Sequence, residues 1–204
     1  MNGLYAIVDP EHCAGREPLW VAEAILRGGC AALQLRAKRL GEAELRTLGR
    51  ALQQACQRAS VPLFVNDHVW LARELGAQGV HLGQDDLPVA EARRLLGSSV
   101  MIGLSTHSLA QAHAAEVAGA DLIGFGPVFA TQTKARAELV VGLAQLAEVC
   151  RAVSIPVVAI GGITLDTAQD VAQTGVQLAA AISALCGAVD PEQAAARMHQ
   201  ALRR

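Results

Sequence analysis

The sequence predicts an α/β protein, a single-domain (β/α)8 TIM barrel over residues 1–204. Three observations carry that expectation. A strand-like run followed by a helix-like segment recurs eight times along the chain. The length of 204 residues sits near the lower limit of about 200 for eight such units. No G-x-G-x-x-G turn follows the first strand-like run, which argues against an open dinucleotide-binding sheet.

The strand-like runs are Leu4 to Val8, Ala32 to Arg36, Leu63 to Asn66, Gly79 to Leu82, Val100 to Leu104, Leu122 to Phe125, Val157 to Ile160 and Gln177 to Ile182. Between them apolar residues recur at helical spacing, as in Val21-Ala24-Ile25-Gly28 and Leu45-Leu48-Leu52. Several helical segments stop at Gly28-Gly29, Gly76, Gly119 or Gly175, where glycine supplies a left-handed cap before the chain turns into a strand. The last helix is expected to start after Asp190, with Pro191 in its first turn. Repetition of one unit with short connections points to parallel strands joined by right-handed crossovers.

Composition narrows the function classes. The chain is 52% hydrophobic but only 3% aromatic, so its core is aliphatic, as suits strands buried on both faces. The net charge of −2 offers no global basic field for nucleic acid or an anionic membrane. Cys13, Cys30, Cys56, Cys150 and Cys186 are odd in number and widely spaced. They fit neither a disulfide framework nor a zinc site and are read as free thiols. Met1-Asn2-Gly3 runs straight into a strand, and no apolar stretch reaches the 20 or so residues of a membrane span. A soluble cytoplasmic protein is expected.

In a barrel of this kind functional groups sit at the C-terminal ends of the strands. Gln34, Arg36 and Lys38 fall on one face if the second strand extends that far. Two cations aimed inward call for an anion such as a diphosphate; the other reading is a rim ion pair with Asp9 or Asp67. Asn66-Asp67 and Asp85-Asp86 end the third and fourth strands. Carboxylates so placed suit Mg2+, which takes one or two carboxylates plus substrate phosphates; helix N-capping is the alternative. Thr131, Gln132, Thr133 and Lys134 follow the sixth strand and could wrap a phosphate, as Gly161-Gly162 and Ile182-Ser183 after the last two strands could. His81 is read as a packed strand residue bonded to backbone. His107 lies near the mouth, His68 in a first helical turn, and His12, His113 and His199 on the surface. No Ser-His-Asp, Cys-His or paired-glutamate arrangement is visible. The chain looks built to bind and orient charge.

Taken together, Leu4-Tyr5-Ala6-Ile7-Val8-Asp9, Gln34-Leu35-Arg36-Ala37-Lys38, Gly79 through Asp86, Gly124 through Phe129, Thr131-Gln132-Thr133-Lys134 and Ala159 through Ile163 resemble the thiamine phosphate synthase family over nearly the whole chain. The resemblance implies joining of 4-amino-2-methyl-5-hydroxymethylpyrimidine diphosphate to 4-methyl-5-(2-phosphoethyl)thiazole, with release of pyrophosphate and a need for Mg2+. It implies contacts to the pyrimidine diphosphate from Gln34, Arg36, Lys38, Asn66, Ser105 and Lys134. Asp67 and Asp86 would be the metal ligands, and Thr131, Thr133, Gly162, Ile182 and Ser183 would face the thiazole phosphate. Leu35, Ala37 and Gln132 would also be substrate-binding. Arg36, Lys38, Lys134 and Ser105 would carry the chemistry. Departures from the family pattern are Ala37 in place of a glutamate, the stretch Ala135-Arg136-Ala137-Glu138, and the small-residue run Leu178-Ala179-Ala180-Ala181. A thiazole tautomerase-like isomerase and a non-catalytic phosphate-binding protein on the same fold are the competing functions. Asp67, Asp86 and Pro127 favour the synthase, because the tautomerase relative lacks the carboxylates and has a histidine at the place of Pro127. Partners are expected to be small phosphorylated molecules, with a second copy of the chain as a further candidate and neither nucleic acid nor membrane.

Overall fold

The computed structural model describes residues 1–131 and 139–203. Its eight strands are β1 (Gly3–Val8), β2 (Ala32–Leu35), β3 (Leu63–Asn66), β4 (Gly79–Leu82), β5 (Met101–Thr106), β6 (Leu122–Phe125), β7 (Val157–Ala159) and β8 (Leu178–Ala181). They pair in chain order and close, β8 against β1, all parallel. The helices are α1 (Pro18–Gly28), α2 (Glu42–Ala59), α3 (Val69–Leu75), α4 (Val89–Leu96), α5 (Leu109–Val117), α6 (Gly142–Ala152), α7 (Leu165–Gln173), the single turn α8 (Ser183–Cys186), and α9 (Pro191–Leu202). A 3₁₀ turn, Pro10–His12, joins β1 to α1. The barrel expected from the sequence is the barrel observed.

Local chemistry explains the repeat. Gly29, Gly76, Gly119 and Gly175 all take positive φ, the conformation that lets a helix end and the chain re-enter the sheet. The polar residue placed just before β4, β6 and β8 does more than turn the chain. Gln78 Oε1 accepts from Leu63 N at 3.0 Å, Asp121 Oδ2 from Ile102 N at 2.7 Å, and Gln177 Oε1 from Val157 N at 3.0 Å. Each satisfies an N–H at the start of the preceding odd strand, a donor that burial would otherwise make costly. At the last helix, Asp190 accepts from Gln193 N at 3.0 Å, with Pro191 in the first turn.

The core has two aliphatic layers. Leu4, Ala6, Val8, Leu33, Leu35 and their counterparts pack outward under the helices. Tyr5, Ile7, Ala32, Phe64, Leu122, Val158, Leu178 and Ala180 fill the barrel. The period-two alternation of strands sorts the two sets. Inward glycines make room for large rings. A β-carbon at Gly79 would collide with the Phe64 ring, one at Gly103 with His81 Nδ1, and one at Gly124 would stand 3.1 Å from the His81 ring. Two of the scarce aromatics, Tyr5 and Phe64, lie inside the barrel, their rings 5.4 Å apart at 57°.

No disulfide joins the described cysteines, four of which are buried. Among the described residues no helix is long and apolar enough to cross a membrane.

Candidate active site

The inward alternation that fills the barrel continues to its C-terminal mouth and lines one cavity there. Tyr5, Ile7, Gln34, His81, Ser105, Gly124, Val158 and Ala180 form its floor, and Arg36, Asn66, Thr131, Gly162, Ile182 and Ser183 its upper wall. Of the residues singled out from sequence, Gln34, Arg36, Asn66, Ser105, Thr131, Gly162, Ile182 and Ser183 meet around this space. Gln132, Thr133 and Lys134 lie outside the described residues.

The floor is ordered by hydrogen bonds. Gln34, 3% exposed, donates from Nε2 to the Tyr5 hydroxyl at 3.0 Å. Burial holds the Tyr5 phenol far above its usual range, so it stays protonated. His81 Nε2 lies 3.1 Å from Ser105 Oγ. The sequence reading of His81 as a packed residue bonded to backbone is thus corrected: its ring reaches a side chain on the next strand and lines the cavity. Gln84 Nε2 donates to the Ser105 carbonyl at 2.6 Å, holding the end of β5 from the neighbouring loop.

The rim carries the charge. Strand β2 ends at Leu35, one residue earlier than expected, yet Arg36 N still donates to Val8 O at 3.0 Å. Arg36 therefore keeps the strand register and faces inward, 13% exposed, paired with buried Asp9. Lys38 lies beyond the strand in a turn, so alternation does not govern it. Its Nζ stands 3.2 Å from Asp67 Oδ2, and its side chain is 53% exposed. Leu35 and Ala37 point into the layer beneath the helices; what they can offer a ligand at the mouth is backbone.

Asp67 and Asp86 do meet. Asp67 takes φ 63°, a left-handed conformation rare for a side-chain-bearing residue. Burial, and a hydrogen bond with the Asp86 carboxyl, raise the Asp67 pKa against the lowering effect of Lys38. Neither caps a helix: His68 and Pro88 occupy the N-cap positions of α3 and α4, and Asp86 Oδ2 instead accepts from Gly83 N at 2.6 Å. Two carboxyls in contact suit a hard divalent cation. Among the described residues no group of three or more His, Cys, Asp or Glu could hold a metal ion.

The far wall is backbone brought close. Val128 N donates to Ile160 O at 2.9 Å and Phe129 N to Gly161 O at 3.0 Å. That approach leaves no room for side chains at Gly161 and Gly162. Their φ values are 101° and 64°, and a β-carbon on Gly162 would stand 2.5 Å from Ala130 O. Ser183 opens the α8 turn across from them.

Other histidines differ from expectation. His12 lies 3.4 Å from Asp9 Oδ2, and His199 Nδ1 accepts from Leu4 N at 3.1 Å; neither is a plain surface residue. His107 Nδ1 lies 2.6 Å from Gly126 O, while His113 is exposed. Sequence reasoning missed Tyr5 as a lining residue, although the alternation Tyr5-Ile7-Asp9 carries it; the rim pair of Arg36 with Asp9, one of the readings the sequence left open, is present.

The family model for thiamine monophosphate synthase matches residues 4–185. A thiamine-phosphate synthase of Anaeromyxobacter dehalogenans is 50% identical over 202 residues, 98% of this chain and 88% of that protein. One from Laribacter hongkongensis is 46% identical over 189 residues, 92% of this chain and 89% of that protein. The structure of a thiamine phosphate pyrophosphorylase from Pyrococcus furiosus superposes with a TM-score of 0.90 at 36% identity, covering 98% of this chain and 95% of that one. A fold match, a match along almost the full length and a cavity lined by the motif residues agree, and the chain belongs to the thiamine monophosphate synthase family.

Proposed function

We propose that this protein is a Mg2+-dependent thiamine phosphate synthase. It joins 4-amino-2-methyl-5-hydroxymethylpyrimidine diphosphate to 4-methyl-5-(2-phosphoethyl)thiazole and releases pyrophosphate. The observation that supports this most is the division of the barrel mouth into a hydrogen-bonded floor of Tyr5, Gln34 and Ser105 and a charged rim of Arg36, Lys38 and Asp67. A neutral heteroaromatic ring and its diphosphate call for that division.

Gln34, Asn66 and Ser105 bind the pyrimidine end. Arg36 and Lys38, with Lys134 from outside the described residues, hold the diphosphate. Asp67 and Asp86 hold Mg2+, whose charge offsets that of the leaving group. Thr131, Thr133, Gly162, Ile182 and Ser183 receive the thiazole phosphate.

In the reaction the C–O bond to the diphosphate breaks, and a bond from the thiazole nitrogen to that carbon forms. Breaking precedes forming, because the aminopyrimidine ring can delocalise the positive charge left on its methylene carbon. The electron pair leaves with the diphosphate, where the fixed cations stabilise it. No enzymic nucleophile is needed. The cavity floor excludes water and holds the two rings in line.

Purified protein given both substrates and Mg2+ should yield thiamine phosphate, identified by mass. Absence of that product from a folded protein that binds both substrates would instead support an isomerase or a phosphate-binding protein.

A further inference from the structure

Of the three cations that follow β2, Arg39 pairs with Glu11 at the surface; Arg36 and Lys38 each have a carboxylate at the mouth, but the two pairs differ in kind. Lys38 and Asp67 meet at the exposed rim, and Asp67 has a second neighbour in Asp86. Arg36 meets Asp9, which is 0% exposed and stands apart from the metal carboxylates. The register explains the meeting. Val8 pairs with Leu35, so Asp9 and Arg36 are the next residues along neighbouring strands, both on the inward face.

Asp9 is held on every side. Pro10 follows it and favours an extended Asp9 backbone, observed at φ −128° and ψ 117°. Its Oδ1 accepts from Glu11 N at 3.0 Å. Its carbonyl accepts from His12 N at 2.9 Å and from Cys13 Sγ at 3.3 Å. Capping the 3₁₀ turn uses Oδ1 alone. Oδ2 is left for Arg36 Nη1, with His12 Nδ1 at 3.4 Å. A buried carboxylate requires such a partner, and a guanidinium gripped at one nitrogen still has a free edge to offer. Arg36 lines the cavity, so that edge faces the ligand space.

We propose that Asp9 is a positioning residue for Arg36: it fixes the guanidinium so that its free edge is already aimed at a diphosphate before the ligand arrives. This rests on the reading of Arg36 as a diphosphate contact. It assigns a role in binding to a carboxylate that touches neither substrate nor metal. Preorganisation of this kind removes the cost of ordering a long side chain on binding.

The test is titration of inorganic diphosphate, with Mg2+, into the full-length wild type, Asp9→Asn, Arg36→Ala and the double variant, with thermal melting of each. Asp9→Asn keeps the Oδ1 cap and turns the Arg36-facing atom into a donor. It is expected to weaken diphosphate binding by about tenfold, the scale of a charged hydrogen bond, and to add nothing in the Arg36→Ala background. Unchanged affinity in Asp9→Asn, or an equal loss with and without Arg36, would overturn the proposal. If Asp9→Asn does not fold, Asp9→Glu decides: it keeps the paired charge but displaces the guanidinium, and wild-type affinity there would overturn the proposal. Turnover is measured separately. A wild type that binds diphosphate yet makes no thiamine phosphate contradicts the synthase reading while leaving the role of Asp9 intact.

Discussion

Lys38 Nζ lies 3.2 Å from Asp67 Oδ2, so a cation assigned to an anionic substrate and a carboxylate assigned to a metal neutralise each other when neither ligand is present. The pair is surface-exposed enough to be weak, and both partners can be drawn away together. Asp67→Asn should remove Mg2+-dependent turnover and weaken Mn2+ binding measured by electron paramagnetic resonance, with the melting temperature little changed. Full Mn2+ binding in that variant would move the metal away from Asp67.

Gly103 exists to admit His81. Gly103→Ala sets a β-carbon against His81 Nδ1 and should destabilise the protein by about 1–3 kcal/mol, the usual cost of overpacking. Because His81 lies against Ser105, the variant should also lose turnover. Gly41→Ala, whose β-carbon would find Glu44 Oε2 at 3.7 Å, is the control and should lose less, only the smaller cost of alanine at the N-cap of α2. Equal melting temperatures for the two variants would show that the barrel floor is looser than this packing implies.

The eight units were legible because each carries its own period and several carry a glycine stop, all within a few residues of sequence. The site was legible where alternation holds, as at Gln34 and Arg36, and failed where the strand had already ended, as at Lys38. His81 was misread because its partner Ser105 is 24 residues away on the next strand, and only the register brings them together. The same holds for Gln78, Asp121 and Gln177: the glycine before each marks a turn, but the strand N–H that each one satisfies depends on the closed sheet. Asp9 was visible as a rim partner for Arg36; its full set of contacts needed the 3₁₀ turn.

His199 should give the fold a pH dependence. Its Nδ1 accepts from Leu4 N, which requires an unprotonated nitrogen, and burial, with Arg203 nearby, holds its pKa below the ordinary 6.5. The unfolded chain therefore takes up the proton first. This contribution to stability is full above about pH 6.5 and is lost as pH falls through that value toward the folded pKa. Between about pH 7.5 and about pH 5, wild-type melting temperature should fall more steeply than that of His199→Gln, which can accept the same bond without titrating. Parallel curves would remove His199 as the cause.

Lys134→Ala should lower kcat more than it raises KM for the pyrimidine diphosphate, if the lysine acts chiefly on charge growing in the leaving group. A change confined to KM would mean ground-state binding alone.

The central claim is that one cavity brings both phosphorylated substrates together for a Mg2+-dependent transfer. Pyrophosphate release by the purified protein tests it most directly, with the two substrates supplied together and singly, with and without Mg2+. The account requires release only when both substrates and Mg2+ are present, mole for mole with thiamine phosphate. No release from a folded protein that binds both substrates, or release without matching thiamine phosphate, would contradict it.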